Sequence, residues 1–144
     1  MHRRAVEDSL SDVGPAIGWV SQVSSTDDLS EDTRFGIELC MEEALANLVM
    51  HGQAPDGQKD IAIVFSVDGS RATVQILDRC APYDVMNADL PQPGQFDDSS
   101  EGGRGLRLLR SFATEMSYET CDGRNVLTMV FGQGSANAAV AAAV

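Results

Sequence analysis

Apolar positions along this chain switch between helical and strand spacing, and the switches divide it into elements. Leu10, Val13, Ile17, Val20 and Val23 recur every three or four residues with Trp19 beside them, so residues 10–24 predict an amphipathic helix. Gly14, Pro15 and Gly18 weaken it. Beyond the polar linker 24–28, Ser30 is placed to cap a second helix. Its first turn holds Glu31 and Asp32, where carboxylates suit the positive end of the helix dipole. Ile37, Met41, Ala44 and Leu48 mark its apolar stripe, and Gly52 is a stop just past Met50.

The period then falls to two. Ile61, Ile63, Phe65 and Val67 share one face of a strand, Asp68-Gly69 turns the chain, and Ala72, Val74 and Ile76 share a face of the next. Residues 85–101 are a long polar loop with two prolines and the run Asp97-Asp98-Ser99-Ser100-Glu101, and loops of that length act as lids or stay disordered. Leu106, Leu109, Ala113 and Met116 mark a third helix. Strands around 117–121 and 125–131 follow, joined by Asp122-Gly123. The reading is one domain over 1–131 and a low-complexity, disordered tail over 132–144. Helices, hairpin, helix, hairpin make an α+β two-layer sandwich, with a mixed, mostly antiparallel sheet and helices on one face.

Composition narrows the function classes. A net charge of -12 makes nucleic acid and anionic membrane surfaces poor partners. Cys40, Cys80 and Cys121 are too far apart for a CxxC zinc site, and reduced thiols suit a cytoplasmic protein. The N-terminus has basic residues with no apolar run behind them, and no stretch nears the roughly 18 apolar residues a span requires, so no membrane segment is expected.

Three constellations carry chemistry. Glu43 and Asn47 stand one helical turn apart, at the side of the apolar stripe, where a layered fold puts a pocket rim. A carboxylate beside an amide oxygen suits a Mg-nucleotide site, and an exposed polar face on an ordinary helix is the plainer alternative for the pair taken alone. Glu42, Glu38 and Arg34 are spaced as a solvent face. Asp78 keeps the parity of Ala72, Val74 and Ile76, so its carboxylate points to the apolar side of the sheet and needs a partner there. The amine of adenine is one, and a proline-containing turn is the plainer alternative. Gly102-Gly103-Arg104-Gly105-Leu106 opens a helix whose N–H groups suit phosphate, with Arg104 adding charge; a flexible joint fits as well. No GK[ST] follows, so it is not a P-loop.

In this order the three resemble the GHKL ATPase superfamily, and within it the anti-sigma-factor serine kinases. Glu43-Ala44-Leu45-Ala46-Asn47 resembles the family's N box. Asp78-Arg79-Cys80-Ala81-Pro82-Tyr83-Asp84 resembles its first glycine box, DxGxPFD, and Gly102-Gly103-Arg104-Gly105-Leu106 its second. The resemblance implies ATP and Mg2+ as cofactors, Glu43 as the catalytic carboxylate and Asn47 as the metal ligand. It implies Asp78 at the adenine, Gly103, Arg104 and Gly105 along the phosphates, Pro82 and Leu106 as further cofactor-binding residues, and residues 85–101 as the ATP lid. It further implies a STAS-domain antagonist as substrate, a sigma factor as sequestered partner, and a homodimer. His51 matches a histidine common after the N box and reads as closing a helix C-terminus.

Two departures bear on this. Cys80 stands where the family usually has glycine, and a residue with a Cβ reaches positive φ less easily. The segment ahead of Leu10 is short for the family's first strand, which is expected to be brief or absent. A GHKL fold that only sequesters a partner is the alternative function. The catalytic half of a histidine kinase is another, disfavoured because neither His2 nor His51 sits on a dimerisation helix pair.

Overall fold

The computed structural model describes residues 1–82 and 112–132. In chain order these form β1 (His2–Val6), α1 (Val13–Val23), α2 (Glu31–His51), β2 (Ile61–Asp68), β3 (Arg71–Asp78), β4 (Glu115–Cys121) and β5 (Arg124–Phe131). The strands make one sheet in the order β1-β2-β3-β5-β4. Every pairing among the described residues is antiparallel, so the expected mixed character is absent there.

Two glycine turns set the register. Gly69-Ser70, with Gly69 at φ +65, closes β2 onto β3 at the Asp68–Arg71 pair, one residue later than the expected Asp68-Gly69. Positive φ at the first loop position only is the type II′ geometry that follows strand twist. Asp122 and Gly123 both take positive φ, +54 and +75, the type I′ counterpart between β4 and β5. With register set, alternate residues face inward together: Ile63 and Phe65, Val74 and Ile76, Leu127, Met129 and Phe131. They bury against Ile37, Met41, Ala44 and Leu45 of α2 and Val13, Ala16 and Val20 of α1. The helices cover one face, as expected.

The N-terminal strand is present and five residues long, paired with β2 from His2–Phe65 to Val6–Ile61. Its inward positions include two polar residues, which is why no apolar alternation marks it. Arg4 forks onto both oxygens of Asp12 at 2.9 and 3.0 Å, and His2 meets Trp19 edge-on. Asp12 also accepts from the Glu7 N–H. The Arg4 bond, then the Glu7 N–H, hold the Asp12 carboxyl below its ordinary range.

Several expectations need correction. Leu10 is exposed and belongs to a 3-10 turn (Leu10–Asp12) ahead of α1. Met116 is not helical: β4 begins at Glu115, and Met116 pairs with Met129. Its apolar spacing fits either period, and the ladder with β5 decides. Arg34 does not join Glu38 and Glu42 as a solvent face. It donates to Ser24 Oγ and to the carbonyls of Ser24 and Asp27, tying the α1–α2 linker to α2. The loop over 85–101, the helix start at 102–106 and the tail from 133 lie outside the described residues. Among the described residues no helix is long and apolar enough to cross a membrane.

Candidate functional site

Helix α2 starts as expected, with Ser30 Oγ accepting from the Thr33 N–H. Its end is built less predictably. The Gly52 N–H bonds the Leu48 carbonyl, while Lys59 reaches back and donates to the carbonyls of Leu48 and Val49 at 3.0 and 2.9 Å. A lysine thus satisfies the Val49 carbonyl and adds a second donor to that of Leu48 at the negative end of the helix. His51 is the last helical residue, as anticipated, but it is exposed and faces a cavity. Nothing in the local pattern marked Lys59, because its partners lie about ten residues away.

The same loop holds the chain leaving β3. The Arg79 N–H bonds the Lys59 carbonyl and the Ala81 N–H bonds the Gln53 carbonyl, each at 2.7 Å. Between α2 and this segment opens a cavity of about 490 Å³, within the range of small-molecule sites. Ala44, Asn47, Leu48 and His51 line it from α2, and Ile76 and Asp78 from β3. Cys80, Ala81 and Pro82 form another side, with Gly52, Gln53, Tyr118 and Leu127 completing it.

Of the expected site residues, Asn47, Asp78 and Pro82 come together on this cavity. Glu43 stands one turn from Asn47, half-buried, with its Oε1 accepting from Asn47 Nδ2 at 3.3 Å. That bond turns the amide oxygen of Asn47 away from Glu43 and leaves it, among the described residues, without a hydrogen bond. An amide oxygen and a carboxylate are the hard donors Mg2+ prefers, so the pair fits that ion. Gly103, Arg104, Gly105 and Leu106 lie outside the described residues.

Asp78 is 5% exposed and, as its parity required, faces inward. Its Oδ1 accepts from the Cys80 N–H at 2.9 Å and from Asn125 Nδ2 at 2.8 Å. Asn125 sits directly opposite Asp78 on β5, 1% exposed, and sequence reasoning passed over it. The signal was there: Asn125 shares the inward parity of Leu127, Met129 and Phe131. Two polar residues at apolar parity, one ending β3 and one opening β5, were readable as a pair.

Cys80 is not in the left-handed region, so the cost expected for a cysteine in place of glycine does not arise. Its buried side chain packs against Gly52 instead. A Cβ on Gly52 would stand 2.8 Å from Cys80 Sγ and 2.5 Å from the Leu48 carbonyl oxygen. The glycine is therefore needed for close approach, at an ordinary extended φ of -63. Burial, and after it the neighbouring Asp78 carboxylate, pushes the Cys80 thiol up to about 11. It stays a neutral thiol on the cavity wall.

A sequence profile of the histidine kinase-like ATPase domain matches residues 6–131. The serine/threonine-protein kinase BtrW of Bordetella bronchiseptica is 35% identical over 115 residues, covering 79% of this chain and 81% of that protein. Among solved structures, the RsbU and RsbW domains of Rv1364c from Mycobacterium tuberculosis superpose with a TM-score of 0.63 at 13% identity. That match covers 91% of this chain and 32% of the other, so this chain spans about a third of it. The histidine kinase domain of the blue-light activated histidine kinase EL346 from Erythrobacter litoralis gives 0.52 at 14% identity, covering 96% and 68%. At such identities the structures speak for the fold alone. Profile and fold agree with the sequence motifs, and the chain belongs to the histidine kinase-like ATPase family.

Proposed function

We propose that this chain is an ATP-dependent serine/threonine-protein kinase of the anti-sigma-factor type. The observation that carries the reading is that Asn47 and Asp78, 31 positions apart, line one cavity of small-molecule size, with Glu43 hydrogen-bonded to Asn47 one turn away. A serine/threonine-protein kinase relative and the ATPase family support it.

In this reading Asp78 takes the adenine amine, and Pro82 flanks the base. Asn47 presents its amide oxygen to Mg2+, and bound Mg2+ supplies charge neutralisation along the phosphates. Gly103, Arg104, Gly105 and Leu106 are assigned to the phosphates from sequence alone. Glu43 orients the acceptor hydroxyl and takes its proton. The γ-phosphoryl group bonds to that oxygen as its bond to the ADP oxygen breaks. The proposed acceptor is a serine or threonine of a STAS-domain antagonist, with a sigma factor as the sequestered partner and a homodimer as the working form.

The test is incubation of the pure protein with Mg2+, γ-labelled ATP and STAS-domain proteins from the same genome. Label should appear on a serine or threonine of one of them. Glu43→Gln should cut the transfer rate by about 10²–10⁴-fold with ATP affinity held within about threefold. Undiminished transfer by that variant would remove Glu43 from its role. Absence of saturable ATP binding would leave a sequestering module without nucleotide chemistry.

A further inference from the structure

Asn125 spends its whole amide. One Nδ2 hydrogen goes to Asp78 Oδ1 at 2.8 Å, the other to the Cys80 carbonyl at 2.9 Å, and its Oδ1 accepts from the Thr120 hydroxyl at 2.9 Å. These three partners also fix which way the amide faces, since a flipped group would set its oxygen against two acceptors. Strand register makes the arrangement: Asp78 pairs with Asn125 across β3 and β5, and Asn125 with Thr120 across β5 and β4.

The consequence falls on Asp78. Its Oδ1 already accepts from two donors, the Cys80 and Asn125 N–H groups. No nitrogen or hydroxyl donor among the described residues reaches its Oδ2, and Asp78 lines the cavity with the Cys80 thiol beside it. A carboxylate oxygen held in that way offers acceptor capacity and nothing else. A donor such as a 6-amino group on a purine satisfies it. A 6-oxo group presents a second acceptor and leaves both unpaired, which is the costly case.

We infer that Asn125 is a positioning residue that sets the purine preference of the cavity, holding Asp78 so that a 6-amino purine is accepted and a 6-oxo purine refused. The inference rests on the reading of this cavity as the ATP site and adds to it which residue makes the selection. Asn125 also anchors the Cys80 carbonyl, so the carboxylate and the turn that leaves β3 are fixed together.

Binding of ATP and of ITP, which differ at the purine 6-position, tests it with the full chain and Mg2+. Wild type should prefer ATP by about 10- to 100-fold. Asn125→Ala should lose most of its ATP affinity while ITP affinity changes little, so the ratio falls towards one. Asn125→Leu keeps the branched side-chain shape, removes both donors without setting a second carboxylate against Asp78, and should collapse the ratio as well, which covers the case of an alanine variant that fails to fold. A residue that merely supports the fold would weaken both nucleotides equally, so a wild-type ratio in the folded variants overturns the inference while leaving the ATP site intact. Wild type that binds neither nucleotide overturns the ATP reading, and this inference with it.

Discussion

The two walls of the cavity are built to different standards. The strand wall, at Asp78 and Cys80, is braced by Asn125 and Thr120 through four hydrogen bonds of 2.8–2.9 Å, with Asp78, Asn125 and Thr120 held opposite one another by the ladder. The helix wall includes the half-buried Asn47, whose neighbour one turn back, Glu43, accepts from its amide at 3.3 Å. Ladder register sets the strand residues opposite one another, whereas Glu43 and Asn47 meet only as neighbours one turn apart on a helix. A recognition surface gains from that bracing, because a group fixed before the ligand arrives costs no ordering entropy on binding. In the proposed function the helix side is the reactive one, and its metal ion and phosphates arrive with the ligand.

That contrast can be broken, and the helix wall gives the largest effect. Glu43→Gln should separate the walls cleanly: the rate collapses as stated above and nucleotide affinity stays. Loss of both together would mean that the helix wall also recognises the ligand. The joint between the walls comes next. Gly52→Ala forces a Cβ against Cys80 Sγ and the Leu48 carbonyl and should lower stability by about 1–3 kcal/mol, read as a fall in Tm of several degrees. ATP affinity should drop with it, since both walls end at this contact. The smallest effect belongs to a region away from the cavity. Asp12→Asn should cost about 1–2 kcal/mol through the lost fork with Arg4 and leave ATP affinity alone.

Asp12 also makes a pH prediction. Its folded carboxyl lies below the ordinary value of 3.8, so its contribution is complete above that value and vanishes as pH falls through the lower folded one. Thermal melts between pH 6 and pH 2 should therefore show a steeper acid loss in wild type than in Asp12→Asn. Equal slopes would contradict the assignment.

Much of this was legible before any coordinates. Helix α2 carried its own start in Ser30 and its stop in Gly52, and β2, β3 and β5 alternate strongly enough to be read by eye. The inward aim of Asp78 followed from parity alone. What stayed hidden depends on partners distant in sequence. β1 places Arg4 and His2 at inward positions because Asp12 and Trp19 receive them, so its pattern looks like no strand. Met116 satisfies helical and strand spacing at once, and only pairing with Met129 decides. Lys59 and Asn125 read as ordinary polar residues until the fold carries α2 and Asp78 to them. Cys80 illustrates the opposite error: the expected cost concerned its backbone, while the structure accommodates its side chain against Gly52.

The most direct test of the account is calorimetric titration of wild type and Asp78→Asn with ATP and ITP in the presence of Mg2+. Asparagine keeps the shape and can still accept from Cys80 and Asn125, but it turns an N–H donor to the cavity where the carboxylate had an acceptor. The account predicts saturable ATP binding by wild type, a loss of about 100-fold in the variant, and a shift of preference towards ITP. Equal ATP affinity in the two proteins, with both folded, would contradict it.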